Sequence, residues 1–188
     1  SAHASGLVGP AGRVIAVEPS PRCLGDLHAV TDGLENVTVV EAALGDETGT
    51  VDLTGWDNPD HRGLGSVVPE HRAGLAENWF DGETCQVPQL RLGDLLAEQL
   101  GGEPSIGLLK VDVEGYEPMV LRGAPGLLRG RQVRSAILEV TTTLPVDWVG
   151  DLLREVELDY DAFVVGESGC VRRRLDLIPV DAELAVER

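Results

Sequence analysis

Positive charge is scarce in this chain: 15 lysines and arginines face 32 acidic residues, a formal net charge of −17 over 188 residues. Such a field repels phosphates, which excludes a nucleic-acid groove or an anionic membrane surface as the expected partner. Long apolar runs are missing too, none approaching the ~20 residues that span a bilayer. The opening stretch, SAHASGLVGPAGR, lacks the basic-then-apolar layout of a signal peptide. Cysteine is sparse: Cys23, Cys85 and Cys170 are widely spaced and form no CxxC or Cys/His cluster. That excludes a disulfide framework and a structural zinc site, and makes a reducing cytoplasm the expected compartment. Neither a GxSxG nucleophile elbow nor a P-loop occurs. Lysine is reduced to one residue, Lys110.

What is present suits a globular domain. Hydrophobic residues make up 43% of the chain, enough to exclude disorder despite the acidity. A chain of this length suits one domain and can bury roughly 70% of its unfolded surface. A single domain over residues 1–188 is expected.

Short β-type runs alternate with helical stretches. RVIAVE (13–18) is the continuous apolar run of a strand buried on both faces. Ser20-Pro21 then supplies an N-cap and a proline at the first helical position. Leu24, Leu27 and Val30 mark one face of the helix, which Gly33 can stop. VTVVEAAL (37–44) and TVDLTGW (50–56) read as strands joined by a GDETG turn. Residues 57–83 are loop-like, with a short helix near 70–79, and have the character of a substrate wall. TCQVPQLRL (84–92) reads as a strand that Pro88 assigns to an edge or a bulge. A helix at 93–100 leads to SIGLLKVDV (105–113), a second strongly buried strand. A turn at Glu114-Gly115-Tyr116 opens a helix broken near Gly123, then come the buried strand 135–140 and an amphipathic segment at 146–156. YDAFVVGESGCVRRRL carries the signal of a hairpin. The expected class is α/β: a three-layer sandwich whose mostly parallel sheet ends in a C-terminal antiparallel hairpin.

Candidate site residues cluster at strand ends, where ligands bind in open α/β sheets. Glu18 can accept both hydroxyls of a cofactor ribose or, more simply, cap the helix that follows. Asp46, after Ala43-Leu44-Gly45, can accept from an adenine amino group while backbone near Ala43 flanks the ring. The same residues also make an ordinary β-turn. The strongest signal is Leu109-Lys110-Val111-Asp112-Val113-Glu114-Gly115-Tyr116-Glu117. Alternation places Lys110, Asp112 and Glu114 on one face if the strand stays regular that far. The lysine would hold the acids as carboxylates, either for catalysis or as a structural ion pair. Glu139, in an apolar run, needs a partner or a wet cleft and would share one with Asp112. His61 and His71 flank the long loop without metal spacing, and no metal site is expected.

These blocks resemble a family. Residues 12–21 (GRVIAVEPSP), Ala43-Leu44-Gly45-Asp46 with Gly49-Thr50, 110–117 (KVDVEGYE) with Val120-Leu121 and Gly123-Ala124, and Ile137-Leu138-Glu139-Val140 are similar, in order and spacing, to the FkbM family of S-adenosylmethionine-dependent methyltransferases. The resemblance implies a Rossmann-like fold and O-methylation of a small-molecule or sugar hydroxyl, with S-adenosylmethionine as cofactor and a small-molecule methyl acceptor as partner. It assigns Glu18 to the ribose, Asp46 to the adenine and Asp112 to the methyl-transfer centre; from the residues themselves, Ala43 joins the cofactor candidates and Glu139 is the second catalytic candidate. Gly63-Leu64-Gly65-Ser66-Val67 matches a segment on the substrate side. Arg91-Leu92-Gly93 departs from the family's Thr-Leu-Asp. The family's first strand and glycine-rich turn are also not found, so an N-terminally incomplete domain is expected, with the first strand absent between strands 13–18 and 107–112. Two other readings stand beside the enzyme: a non-catalytic methyltransferase-like remnant and, last, a nicotinamide-dependent oxidoreductase, in which the KVDVEGYE block has no place.

Overall fold

The computed structural model describes residues 1–59, 65–68, 82–101, 105–140, 161–166, 169–172 and 182–187. The expected helices near 70–79 and at 146–156, and the candidates His61 and His71, lie outside the described residues.

The chain opens with helix α1 (Ala2–Val8) and strand β1 (Val14–Val17), then helix α2 (Pro21–Thr31) and strand β2 (Val37–Val40). The start of α2 is locally encoded: the Ser20 hydroxyl accepts from the Cys23 amide and Pro21 occupies the first turn. Gly33, with φ 74°, turns the chain after the helix. Strands β1 and β2 pair in parallel, Val14 opposite Val37 through Val17 opposite Val40.

The predicted strand 37–44 is in fact two. After β2 the chain leaves the pair at Glu41-Ala42 and starts strand β3 (Ala43–Gly45) in a different sheet. That sheet has the order β3-β5-β4, with β4 (Gly49–Thr54) antiparallel and β3 parallel to β5 (Thr84–Arg91). Pro88 therefore lies in a central strand and not on an edge. It fits because β3 engages only Gln89 to Arg91, so Pro88 sits beyond that pairing.

Helix α3 (Leu92–Leu100) leads to strand β6 (Ile106–Val111), helix α4 (Glu117–Arg122) and strand β7 (Val133–Val140). Strands β6 and β7 pair in parallel. The hairpin β8 (Asp161–Gly166) and β9 (Gly169–Arg172) forms as expected. A strand not anticipated, β10 (Ala182–Glu187), lies between β7 and β8 and is antiparallel to both.

The α/β class holds. The core gathers where α3, β6, α4 and β7 meet: Leu92, Leu96, Val111, Val120, Leu128 and Leu138 are all buried there. A smaller cluster of Ala43, Leu53 and Val87 fills the β3-β5-β4 sheet. Full burial of β1 and β6 is not found. All four β1 residues are half-buried, and in β6 Leu108 is 59% exposed. The reason is topological: β1 is partnered only by β2 and β6 only by β7, so no described strand covers the other edge of either.

Candidate active site

Glu18 follows the last residue of β1, where its amide donates to the Val40 carbonyl at 3.0 Å. One carboxylate oxygen accepts from the Ser20 amide at 2.8 Å. The side chain is half-buried, and burial pushes its carboxyl above the ordinary 4.5, partly offset by that hydrogen bond. The helix-capping geometry is thus realised by Oε1 alone.

The start of α2 is tied to the next segment. The Arg22 guanidinium donates to the Asp57 carbonyl at 2.5 Å, and the Asp57 carboxylate accepts from the Glu83 amide at 2.8 Å. Thr54 and Ser66 exchange backbone hydrogen bonds at 3.0 Å each. From there the Ser66 hydroxyl reaches the Glu114 carbonyl at 3.5 Å. Hydrogen bonds through Asp57, Thr54 and Ser66 thus link the segment after β1 to the loop after β6.

That loop departs from the predicted alternation. Strand β6 stops at Val111, and Glu114 takes a left-handed φ of 52° with Gly115 at 93°. A left-handed glutamate costs energy, so something must hold it. Glu117 does: fully buried, its Oε1 accepts from the Val113 amide at 2.9 Å and the Gly115 amide at 3.4 Å. Its Oε2 is buried without a hydrogen-bond partner. Burial raises the Glu117 carboxyl, against the lowering effect of those backbone donors.

Lys110 and Asp112 do share a face, Nζ to Oδ2 at 2.6 Å, but both side chains are about half exposed. Glu114 is instead half-buried, and burial, then the charges of Asp112 and Glu117, push its carboxyl up to about 7. Sequence reasoning placed Glu114 beside Asp112 without separating their environments. The Glu-Gly pair after a strand was the available signal for the turn that separates them.

Ala43 is buried in the small core cluster, so backbone at that position is all it offers a ligand. Asp46 is exposed in the turn after β3. The turn approaches the loop after β6: the Tyr116 phenol is pushed up first by burial and then by the charges of Asp46 and Glu47. Glu139 lies one residue past the last β6–β7 pair, Val111 opposite Leu138, which puts its backbone at the same sheet edge as Asp112. Its cross-strand neighbour in β10 is Glu183. Among the described residues no group of acids, cysteines and histidines could hold a metal ion. No described helix is long and apolar enough to cross a membrane. The structure therefore sets Asp112 and Glu114 in one loop, with the backbone of Glu139 at the same strand end, and brings the turn that carries Asp46 to the Tyr116 ring of that loop. Glu18 stands on a separate sheet, linked through Arg22, Asp57 and Ser66.

The methyltransferase FkbM domain matches residues 2–162. The chain belongs to the FkbM methyltransferase family. A methyltransferase from Sordaria araneosa, sdnD, is 34% identical over 136 residues, covering 61% of this chain and 52% of its relative. The chain thus spans about half the length of that curated relative. The crystal structure of an FkbM methyltransferase from Methylobacillus flagellatus KT superposes with a TM-score of 0.54 at 15% identity, over 99% of this chain and 40% of the other. That likeness is one of fold.

Proposed function

We propose that this domain transfers a methyl group from S-adenosylmethionine to the hydroxyl of a small molecule or a sugar, in a Rossmann-like setting. One observation carries the reading: the loop after β6 gathers Asp112, Glu114 and Glu117 with Lys110 beside them, and Glu114 is held near neutrality by burial and its acidic neighbours. Three carboxyl groups against one lysine leave the loop acidic, which suits a cationic ligand, and the cofactor's sulfonium and ammonium groups are cations. The residues fit the group in other respects. Glu18 keeps Oε2 for a ribose hydroxyl while Oε1 caps α2, and Asp46 is exposed for an adenine amino group.

The bound cofactor supplies an electrophilic methyl carbon. The chain's task is to align the acceptor oxygen, since proximity and orientation are worth ~7–11 kcal/mol. It must also take up the acceptor's proton, typically worth about 10²–10⁴-fold. Asp112, at the end of β6 and open to solvent, is the first candidate for orienting or deprotonating the acceptor; Glu139, at the same edge, is the second. The small-molecule acceptor and the cytoplasmic setting follow the family resemblance and the sparse cysteines.

Titration calorimetry with S-adenosylmethionine and S-adenosylhomocysteine tests the reading. Both should bind. The cationic form should also release protons near pH 7, seen as a heat that changes with the buffer's ionisation enthalpy. Absence of binding by either would overturn it. A second reading, that this stretch of chain does not by itself hold the cofactor, draws on the separation of β1 from β6, and the same titration decides it. Asp112→Asn should depress turnover far more than cofactor affinity; equal losses would assign Asp112 to binding.

A further inference from the structure

A second buried polar group lies between the two halves of the candidate site. Gln89, in the middle of the β3-β5-β4 sheet, is 4% exposed. A buried amide is stable only with partners at both ends, and Gln89 has them. Its Nε2 donates to the Glu47 carbonyl at 3.0 Å, and its Oε1 accepts from the Tyr116 hydroxyl at 3.3 Å. A carbonyl can only accept, so the Glu47 contact fixes which end of the amide faces the turn. One end therefore grips the turn that carries Asp46, and the other grips the loop that carries Asp112 and Glu114.

Two glycines close the same joint. A Cβ on Gly45 would lie 2.6 Å from the Gln89 Cδ, and a Cβ on Gly123 would collide with the Gly45 carbonyl. The backbone of β3 is thus pressed between the Gln89 amide and the end of α4, with no slack for relative movement.

We propose that Gln89 is a positioning residue: its buried amide sets the Asp46-Glu47 turn and the Asp112–Tyr116 loop at one separation, so that a ligand's adenosine part and its sulfur-bearing part are held together. The proposal rests on the cofactor reading of these two segments. It differs in naming a residue that touches neither part of the ligand.

Calorimetry of the native chain, Tyr116→Phe and Gln89→Leu, each with adenosine and with S-adenosylhomocysteine, tests it. Tyr116→Phe frees only the loop, so adenosine affinity should stay within about twofold while S-adenosylhomocysteine weakens about three- to tenfold, the usual worth of one hydrogen bond. Gln89→Leu frees the turn as well and should weaken both probes. Tyr116→Phe removes a single hydroxyl from a half-buried ring, so it keeps the test open if Gln89→Leu does not fold. Unchanged S-adenosylhomocysteine affinity in Tyr116→Phe, or equal weakening of both probes in that variant, overturns the proposal alone. A native chain that binds neither probe overturns the cofactor reading, and this proposal with it.

Discussion

The first forty residues and the stretch from β5 to β7 are built from similar apolar strands, yet they pack in opposite ways. Along α1, β1, α2 and β2 the buried residues are Ser5, Ser20 and Thr31, all polar and each hydrogen-bonded through its side chain, Ser5 to the distant Asn36 and the other two within their own helical turn. From β5 to β7 the buried residues include Leu92, Val120, Leu128, Val133 and Leu138, which pack into one cluster. Two glycines mark the extremes: around Gly25 in α2 a Cβ would meet nothing, whereas at Gly123, at the end of α4, it would run into the Gly45 carbonyl. Apolar composition states what a strand can bury; neighbouring elements decide how much it does bury.

The comparison is most sharply broken by one added methyl group. Gly123→Ala drives a Cβ into the Gly45 carbonyl and should cost about 3 kcal/mol or more, since backbone cannot yield as a side-chain tip does. Gly25→Ala, inside α2 and facing open space, should stabilise by ~0.5–1 kcal/mol. Urea midpoints of the two variants should move in opposite directions; a shift of the same sign in both would mean the two halves are packed alike.

Glu114 gives an intermediate effect, and one that depends on pH. Its folded carboxyl, raised to about 7 from 4.5, holds the proton more tightly than in the unfolded chain. The stability it contributes is therefore complete below about pH 4.5 and declines as pH rises through about 7. Glu114→Gln should be more stable than the native chain at pH 8 and gain nothing at pH 4. Denaturation profiles that stay parallel across this range would remove Glu114 from the buried set.

The smallest effect belongs to the conspicuous charge pair. Lys110 and Asp112 are 2.6 Å apart, but with 54% and 44% of their side chains exposed they gain little over hydration. Lys110→Ala should change stability by less than about 1 kcal/mol. A larger loss in thermal melts would show that the end of β6 is better covered than its exposure indicates.

Much of the local structure was legible because it is carried by neighbours in sequence. Ser20 caps α2 three residues on, Gly33 ends the turn behind it, and the Glu114-Gly115 pair bends the chain after β6. The break of 37–44 into two strands was not legible, because VTVVEAAL is apolar apart from Thr38 and Glu41 and has no glycine or proline to mark a turn at Glu41. Pro88 misled for a related reason: its penalty depends on whether a partner strand reaches it, and β3 stops short. In the candidate site, the positions of Asp46 and Asp112 at strand ends followed from the pattern. Burial of Glu117 did not, since an acid after Gly-Tyr reads as solvated, yet it anchors the loop.

The sequence by itself determined the family and, apart from the β2–β3 break and strand β10, most of the order of strands, helices and turns, because those local elements depend on residues a few positions apart. It also placed the scarce lysine beside the acids of the strongest motif. Only the tertiary structure decided that Lys110 and Asp112 are exposed while Glu114 and Glu117 are not. It alone joined Gln89 to Tyr116, which are 27 positions apart. A hydrogen bond of that kind exists only once two sheets have packed, and no local propensity encodes it.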